Sequence, residues 1–138
     1  MIGLLVLGQK EFAAGLVHAV EHTFGTHPPA LETAGIDYVQ PPEEIAELLR
    51  SQIARVDQGD GVLILADVYG TTHTNVACRL LERGRVELIS GANLPMLLRT
   101  LTYRGLTMDE LIDRALSGGC GGIVCAANPN KPGEPRPS

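Results

Sequence analysis

The chain has 138 residues, a formal net charge of −5, 44% hydrophobic residues and 20% charged residues. That length is one domain, large enough to bury about two thirds of its unfolded surface without outside support. The acidic balance provides no basic stripe, which argues against nucleic acid and an anionic membrane surface as partners.

Residues 2–7 form a continuous apolar run ending at Gly8. Such a run reads as a strand buried on both faces, as in a parallel sheet. It is short and lacks a basic flank and a small-residue cleavage site, so it is not read as a signal peptide. No apolar run approaches the roughly 20 residues needed to span a bilayer. Direct membrane insertion is therefore not expected, and a cytoplasmic location is. Three cysteines, Cys78, Cys120 and Cys125, suggest reduced thiols in a reducing compartment. Cys120 and Cys125 are too loosely spaced for a metal knuckle, and no metal is expected.

Residues 11–24 show helical spacing, with Phe12, Leu16, Val17 and Val20 on one side and Gly25 as a stop. Residues 26–31 read as a loop with Pro28 and Pro29, and residues 36–39 as a short second strand. Pro41 and Pro42 open a helix with Glu43 and Glu44 in its first turn and an apolar stripe of Ile45, Leu48, Leu49, Ile53 and Val56. A turn at 58–61 precedes a second apolar run, 62–66, which ends at Asp67. A helix over 74–81, a strand over 86–89 and a helix over 94–103 follow. Thr107 and Glu110 form a capping box for a helix over 107–116, which the glycines between 118 and 122 are expected to break. Residues 123–126 read as a last short strand.

Alternating strands and helices predict an α/β fold with three layers, α/β/α, around a mainly parallel sheet. The expected domain covers residues 1–126, and 127–138 is a Pro-rich tail without apolar periodicity, expected to be disordered.

Ligands of such sheets bind at the carboxyl ends of the strands, near a switch in strand order. Two loops occupy such places: Gly8-Gln9-Lys10-Glu11, and the stretch from Asp67 through Val68, Tyr69, Gly70, Thr71, Thr72, His73 and Thr74 to Asn75. The second combines a carboxylate, hydroxyls, an imidazole and an amide. It leads into a helix start, where free N–H groups suit an anion.

That second stretch resembles a signature of the IIA components of mannose-family (fructose/mannose/sorbose) sugar phosphotransferase systems. Ile89-Ser90-Gly91-Ala92-Asn93-Leu94-Pro95-Met96-Leu97 resembles the family's other signature, and the likeness extends over about residues 1–124. The resemblance implies a dimeric phosphocarrier, with the C-terminal strand available for exchange between subunits. It would take a phosphoryl group from the phosphohistidine of HPr onto a histidine after the first strand. It would then pass the group to a IIB partner during sugar transport, or serve a regulatory relay. No cofactor is implied. Asp67 would orient the acceptor ring, and a hydroxyl of its loop, Thr72, would contact the phosphoryl group. Gly8, Gln9, Gly70, Thr71 and Asn75 would bind phosphate or a partner.

The sequence departs from the family at two positions. Lys10 stands where the family has its phosphoacceptor histidine. A lysine of ordinary pKa, about 10.4, is almost wholly protonated at neutral pH and has no free lone pair. His73 stands where the family usually has proline, in the first turn of a helix whose dipole favours a neutral ring. Either His73 has become the acceptor, or the chain is a phosphorylation-dead interaction module or anion-binding domain. His18 and His22 read as surface residues, His27 as solvated in its loop, and Tyr69 as a packing or subunit contact.

Overall fold

A computed structural model describes residues 1–37 and 39–129. Its central strand is β1 (Gly3–Gln9), where the apolar run leaves no polar face to turn toward water. β2 (Leu31–Ile36) lies on one side of it and β3 (Val62–Ala66) on the other, with β4 (Val86–Ile89) beyond β3. All pairings are parallel, in the order β2-β1-β3-β4. The connecting helices are α1 (Lys10–Phe24), α2 (Pro42–Val56), α3 (Thr72–Cys78), α4 (Leu94–Thr102) and α5 (Met108–Gly121).

Side chains alternate across the sheet and feed two cores. Leu4, Val6, Leu63 and Leu65 pack with Val17 and Val20 of α1, Leu97 of α4 and Leu111 of α5. Leu5, Leu7, Ile64 and Ala66 pack with Ile45 and Leu49 of α2 and Val76 of α3. The result is the expected three-layer α/β/α domain. Arg104, 6% exposed, ties its parts together by donating to the carbonyls of Ile2, Pro29 and Ala30.

The strand order reverses between β1 and β3: from β1 the chain moves first to β2, then returns to the opposite side. The crevice at this switch point is held together by the Asp67 N–H, which donates to the Leu7 carbonyl at 3.0 Å. Ligand sites of parallel sheets form at such places.

Four elements differ from the sequence reading. The second strand is Leu31–Ile36, not 36–39. Its sequence, LETAGI, has weak β propensity, but pairing with β1 from Leu4↔Leu31 to Gln9↔Ile36 overrides local preference. Residue 38 lies outside the described residues. α3 spans Thr72–Cys78, not 74–81, because Thr71 caps it through reciprocal bonds with Thr74. α5 does not break at its glycines but runs to Gly121. A Cβ on Gly118 would lie 2.6 Å from Cβ of Arg99, and one on Gly119 would lie 2.8 Å from Cε of Met96. These glycines admit α4 against α5 instead of ending the helix.

Residues 123–126 form no strand within the chain. The Ile123 N–H bonds back to the Cys120 carbonyl and the Asn128 N–H to the Cys125 carbonyl, so local turns hold the two ends of this segment. Of the Pro-rich tail, residues 130–138 lie outside the described residues. Among the described residues no helix is long and apolar enough to cross a membrane.

Candidate functional site

Asp67 follows directly on the apolar run of β3, so the buried strand delivers its carboxylate to the switch-point edge. Three donors meet it there. The Val68 N–H reaches Oδ1 at 2.7 Å, the Gln9 N–H reaches Oδ2 at 3.1 Å, and His73 Nε2 lies 2.8 Å from Oδ1. Burial opposes ionisation of Asp67, but the bonds from His73, Val68 and Gln9 outweigh it and hold the carboxyl below its ordinary range. An ionised Asp67 only accepts, so the His73 nitrogen facing it carries the proton.

The close fit depends on Gly8. A Cβ there would lie 2.9 Å from Cγ and Oδ2 of Asp67. Gln9 begins the next helix: its backbone N–H serves Asp67, and its side-chain oxygen caps α1 by accepting from the Phe12 N–H at 3.1 Å. The Asp67 carbonyl accepts from the Gly91 N–H at 3.0 Å, which fastens the loop after β4 to the same edge.

His73 reaches Asp67 because Gly70, at φ 90, turns the chain between them and Thr71 then starts α3. Helical side chains lean toward the N-terminus of their helix, so a ring in the first turn of α3 tilts back toward the end of β3. The imidazole is 11% exposed. Its Nδ1 has no hydrogen-bond partner among the described residues, yet it is not sealed from solvent.

The other expected site residues are arranged less tightly. Lys10 is exposed at the start of α1 and makes no ion pair among the described residues. Its stem runs beside Gly35 of β2, where an added Cβ would lie 3.3 Å from the Lys10 Cα. Asp67 lies on the opposite flank of β1. The Thr71 hydroxyl is engaged in the helix cap with Thr74 at 2.9 Å. Thr72 and Asn75 are exposed, with no side-chain hydrogen bond among the described residues, and Gly70 is exposed in the turn. Val68 and Tyr69 also face solvent, 59% and 68% exposed.

The second signature does a different job. Asn93 caps α4 by accepting from the Met96 N–H at 2.9 Å, and donates to the Gly119 carbonyl at 3.1 Å. Pro95 and Met96 are the side chains against which Gly122 and Gly119 of the C-terminal segment pack. This motif braces α4 against α5 and brings no reactive group to the crevice.

His18 and His22 are exposed on α1. His27 is not simply solvated: Nδ1 is 2.7 Å from Glu21 and Nε2 is 2.8 Å from the Leu31 carbonyl. It bridges α1 to the start of β2, the end of the sheet opposite Asp67. The sequence gives no sign of this role, because the partners of His27 are fixed only when α1 and β2 pack. Among the described residues no group of three or more His, Cys, Asp or Glu could hold a metal ion.

Residues 3–116 match the EIIA-man family, described as the PTS system fructose IIA component. The chain belongs to this family. It is 34% identical over 142 residues to the PTS system mannose-specific EIIAB component of Escherichia coli, a match spanning 97% of this chain and 43% of that protein. The protein of the same name from Shigella flexneri matches equally. The chain thus spans less than half the length of these curated relatives. Among solved structures, the phosphotransferase system component EIIA of Streptococcus agalactiae superposes with a TM-score of 0.83 at 22% identity, over 93% of this chain and 99% of that one. The mannose/sorbose specific IIA subunit of Enterococcus faecalis gives 0.78 at 17% identity, over 90% and 93%. Both share the fold. In this mannose-family IIA domain the Asp67 edge carries His73, and Lys10 stands at the start of α1.

Proposed function

We propose that this mannose-family IIA domain acts as a phosphocarrier, taking a phosphoryl group from an HPr-like protein and passing it to a IIB-like partner. The observation that carries the reading is the ionised Asp67 carboxylate bound to an imidazole at the switch point. A carboxylate–imidazole pair fixes the tautomer and orientation that a nitrogen nucleophile needs. Phosphoryl transfer between two imidazoles requires positioning and charge stabilisation more than a cofactor. The proposal places the reaction in the cytoplasm. It includes a homodimer in which residues 123–126 pair with a second copy. Ile123 and Val124, 57% and 58% exposed, support that pairing.

The test is incubation with phosphoenolpyruvate, enzyme I and HPr, followed by intact-mass measurement at alkaline pH. The expected result is the mass of one phosphoryl group, lost on acid treatment. Sedimentation of the chain with and without residues 123–138 checks the dimer.

A second reading rests on Lys10, exposed and without an ion pair among the described residues, where the resemblance implies an acceptor. On that reading the domain docks phosphocarriers, with Lys10 holding an anion, and carries no phosphoryl group itself. An unchanged mass, with HPr phosphorylated in the same tube, would select it.

A further inference from the structure

We propose that the phosphoryl group is accepted by Nδ1 of His73, so that the nucleophile of this domain lies on α3 instead of at the start of α1. The inference rests on the phosphocarrier reading and names its acceptor atom.

Four histidines exist in the chain, and one of them stands at the switch-point edge. His18 and His22 are exposed on α1, and His27 is engaged at both nitrogens at the far end of the sheet. His73 alone meets a carboxylate at the crevice, with Nε2 2.8 Å from Asp67 Oδ1. That carboxylate is itself held by the backbone N–H groups of Gln9 and Val68. These are backbone donors at the end of β1 and just past β3, so the ring is aimed by the main chain at the sheet edge and not by a mobile side chain.

The tautomer follows from the partners. Asp67 accepts at both oxygens, so in the neutral ring the proton sits on Nε2 and the lone pair on Nδ1. Nδ1 has no partner among the described residues and is not sealed from solvent. The ring as a whole is 11% exposed, which limits water around a phosphoimidazole once formed.

The step balances without a co-reactant. The Nδ1 lone pair attacks the phosphorus of a protonated phosphoimidazole on the donor protein. The donor P–N bond breaks, and its electron pair returns to the donor ring, which leaves neutral. The new Nδ1–P bond places the positive charge on the His73 ring, where the Nε2 proton stays shared with the Asp67 carboxylate. Handing the group onward is the same step reversed. Lys10, whose stem starts beside Gly35 of β2 and which makes no ion pair among the described residues, is given no covalent part.

The experiment compares the wild-type chain, His73→Gln, Lys10→Ala, Lys10→His and the His73→Gln/Lys10→His double variant. All are exposed to phosphoenolpyruvate, enzyme I and HPr and read by intact mass and by nitrogen NMR of the phosphorylated ring. Wild type and Lys10→Ala should acquire one acid-labile phosphoryl group on Nδ1 of residue 73, and His73→Gln should fall to background. Labelling of the double variant shows that His73→Gln still folds and docks. Four results overturn the proposal. His73→Gln labelled like wild type, or a group found on Nε2, moves the acceptor while leaving the phosphocarrier reading intact. An unlabelled wild type beside a labelled Lys10→His ends the His73 acceptor and makes this a docking domain that lost its nucleophile. No label on any chain, with HPr phosphorylated, ends both readings together.

Discussion

Nε2 of His73 and Oδ1 of Asp67 are 2.8 Å apart across six residues of sequence, joining the first turn of α3 to the residue that follows β3. The Val68 N–H and the Gln9 N–H complete the shell around the same carboxylate. The pair is a local contact in sequence, yet its stiffness comes from β1, whose Gln9 lies 58 residues before Asp67.

Replacing Asp67 by Asn should slow phosphoryl acceptance by about 100-fold or more, because an amide no longer holds the imidazole in one tautomer. It should also cost about 1–3 kcal/mol of stability at neutral pH, since an amide cannot accept all three donors. The folded pKa of Asp67 lies below its ordinary 3.8. Its stabilisation is therefore complete above that value and is lost as the pH falls through the lower, folded value. Urea unfolding of both proteins should show a constant gap from about pH 7 to pH 5 that narrows below about pH 4.

Gly8→Ala tests the close approach. The added Cβ would sit 2.9 Å from Cγ and Oδ2 of Asp67, so the carboxylate must move away from the Gln9 N–H. The expected cost is about 1–3 kcal/mol in chemical denaturation, with phosphoryl acceptance reduced together with stability. A fully stable and active Gly8→Ala would contradict so tight a fit between β1 and the carboxylate.

At Gly118, local and tertiary effects oppose each other. Helix propensity alone favours alanine there by about 1 kcal/mol. A Cβ would meet Cβ of Arg99 at 2.6 Å and its Cγ at 2.8 Å, atoms too near the α4 backbone to swing aside. Overpacking should prevail, leaving Gly118→Ala less stable by about 1–2 kcal/mol, as read from its thermal or urea midpoint.

His27 supplies a pH dependence of the opposite sign. Both its partners, the Glu21 carboxylate and the Leu31 carbonyl, only accept, so satisfying both requires a doubly protonated ring. Its pKa is raised above 6.5 by the Glu21 bond first and by the Leu31 bond next. The contribution is therefore complete below 6.5 and is lost as the pH rises through the raised value. Glu21→Gln should lower the melting temperature near pH 5.5 and leave it almost unchanged near pH 9, with a small effect throughout because the pair is solvent-exposed.

Much of this architecture is legible in the amino-acid order. The apolar runs behind β1 and β3 announce strands covered on both faces, since no alternation is left for a solvated side. Asp67 then falls just past the end of β3 by counting alone, while β1 runs one residue beyond Gly8, where the apolar run stops. The Thr107–Glu110 box likewise marks the start of α5. The edge strand β2 is not legible, because LETAGI lacks β-forming residues over most of its length and becomes a strand only by pairing with β1. The glycines of α5 look like breakers because a glycine in sequence carries no sign of what packs against it.

The sequence by itself determined the family, the α/β class, the carboxylate at the β3 edge and the absence of a histidine at position 10. Each depends on residue identity or a short periodicity. Only the tertiary structure decided that His73 turns toward Asp67 while the Lys10 stem starts beside Gly35 of β2. That choice depends on the turn at Gly70, the tilt of helical side chains and the two N–H groups that aim the carboxylate. These are distances between separate elements, set when the sheet and helices pack together.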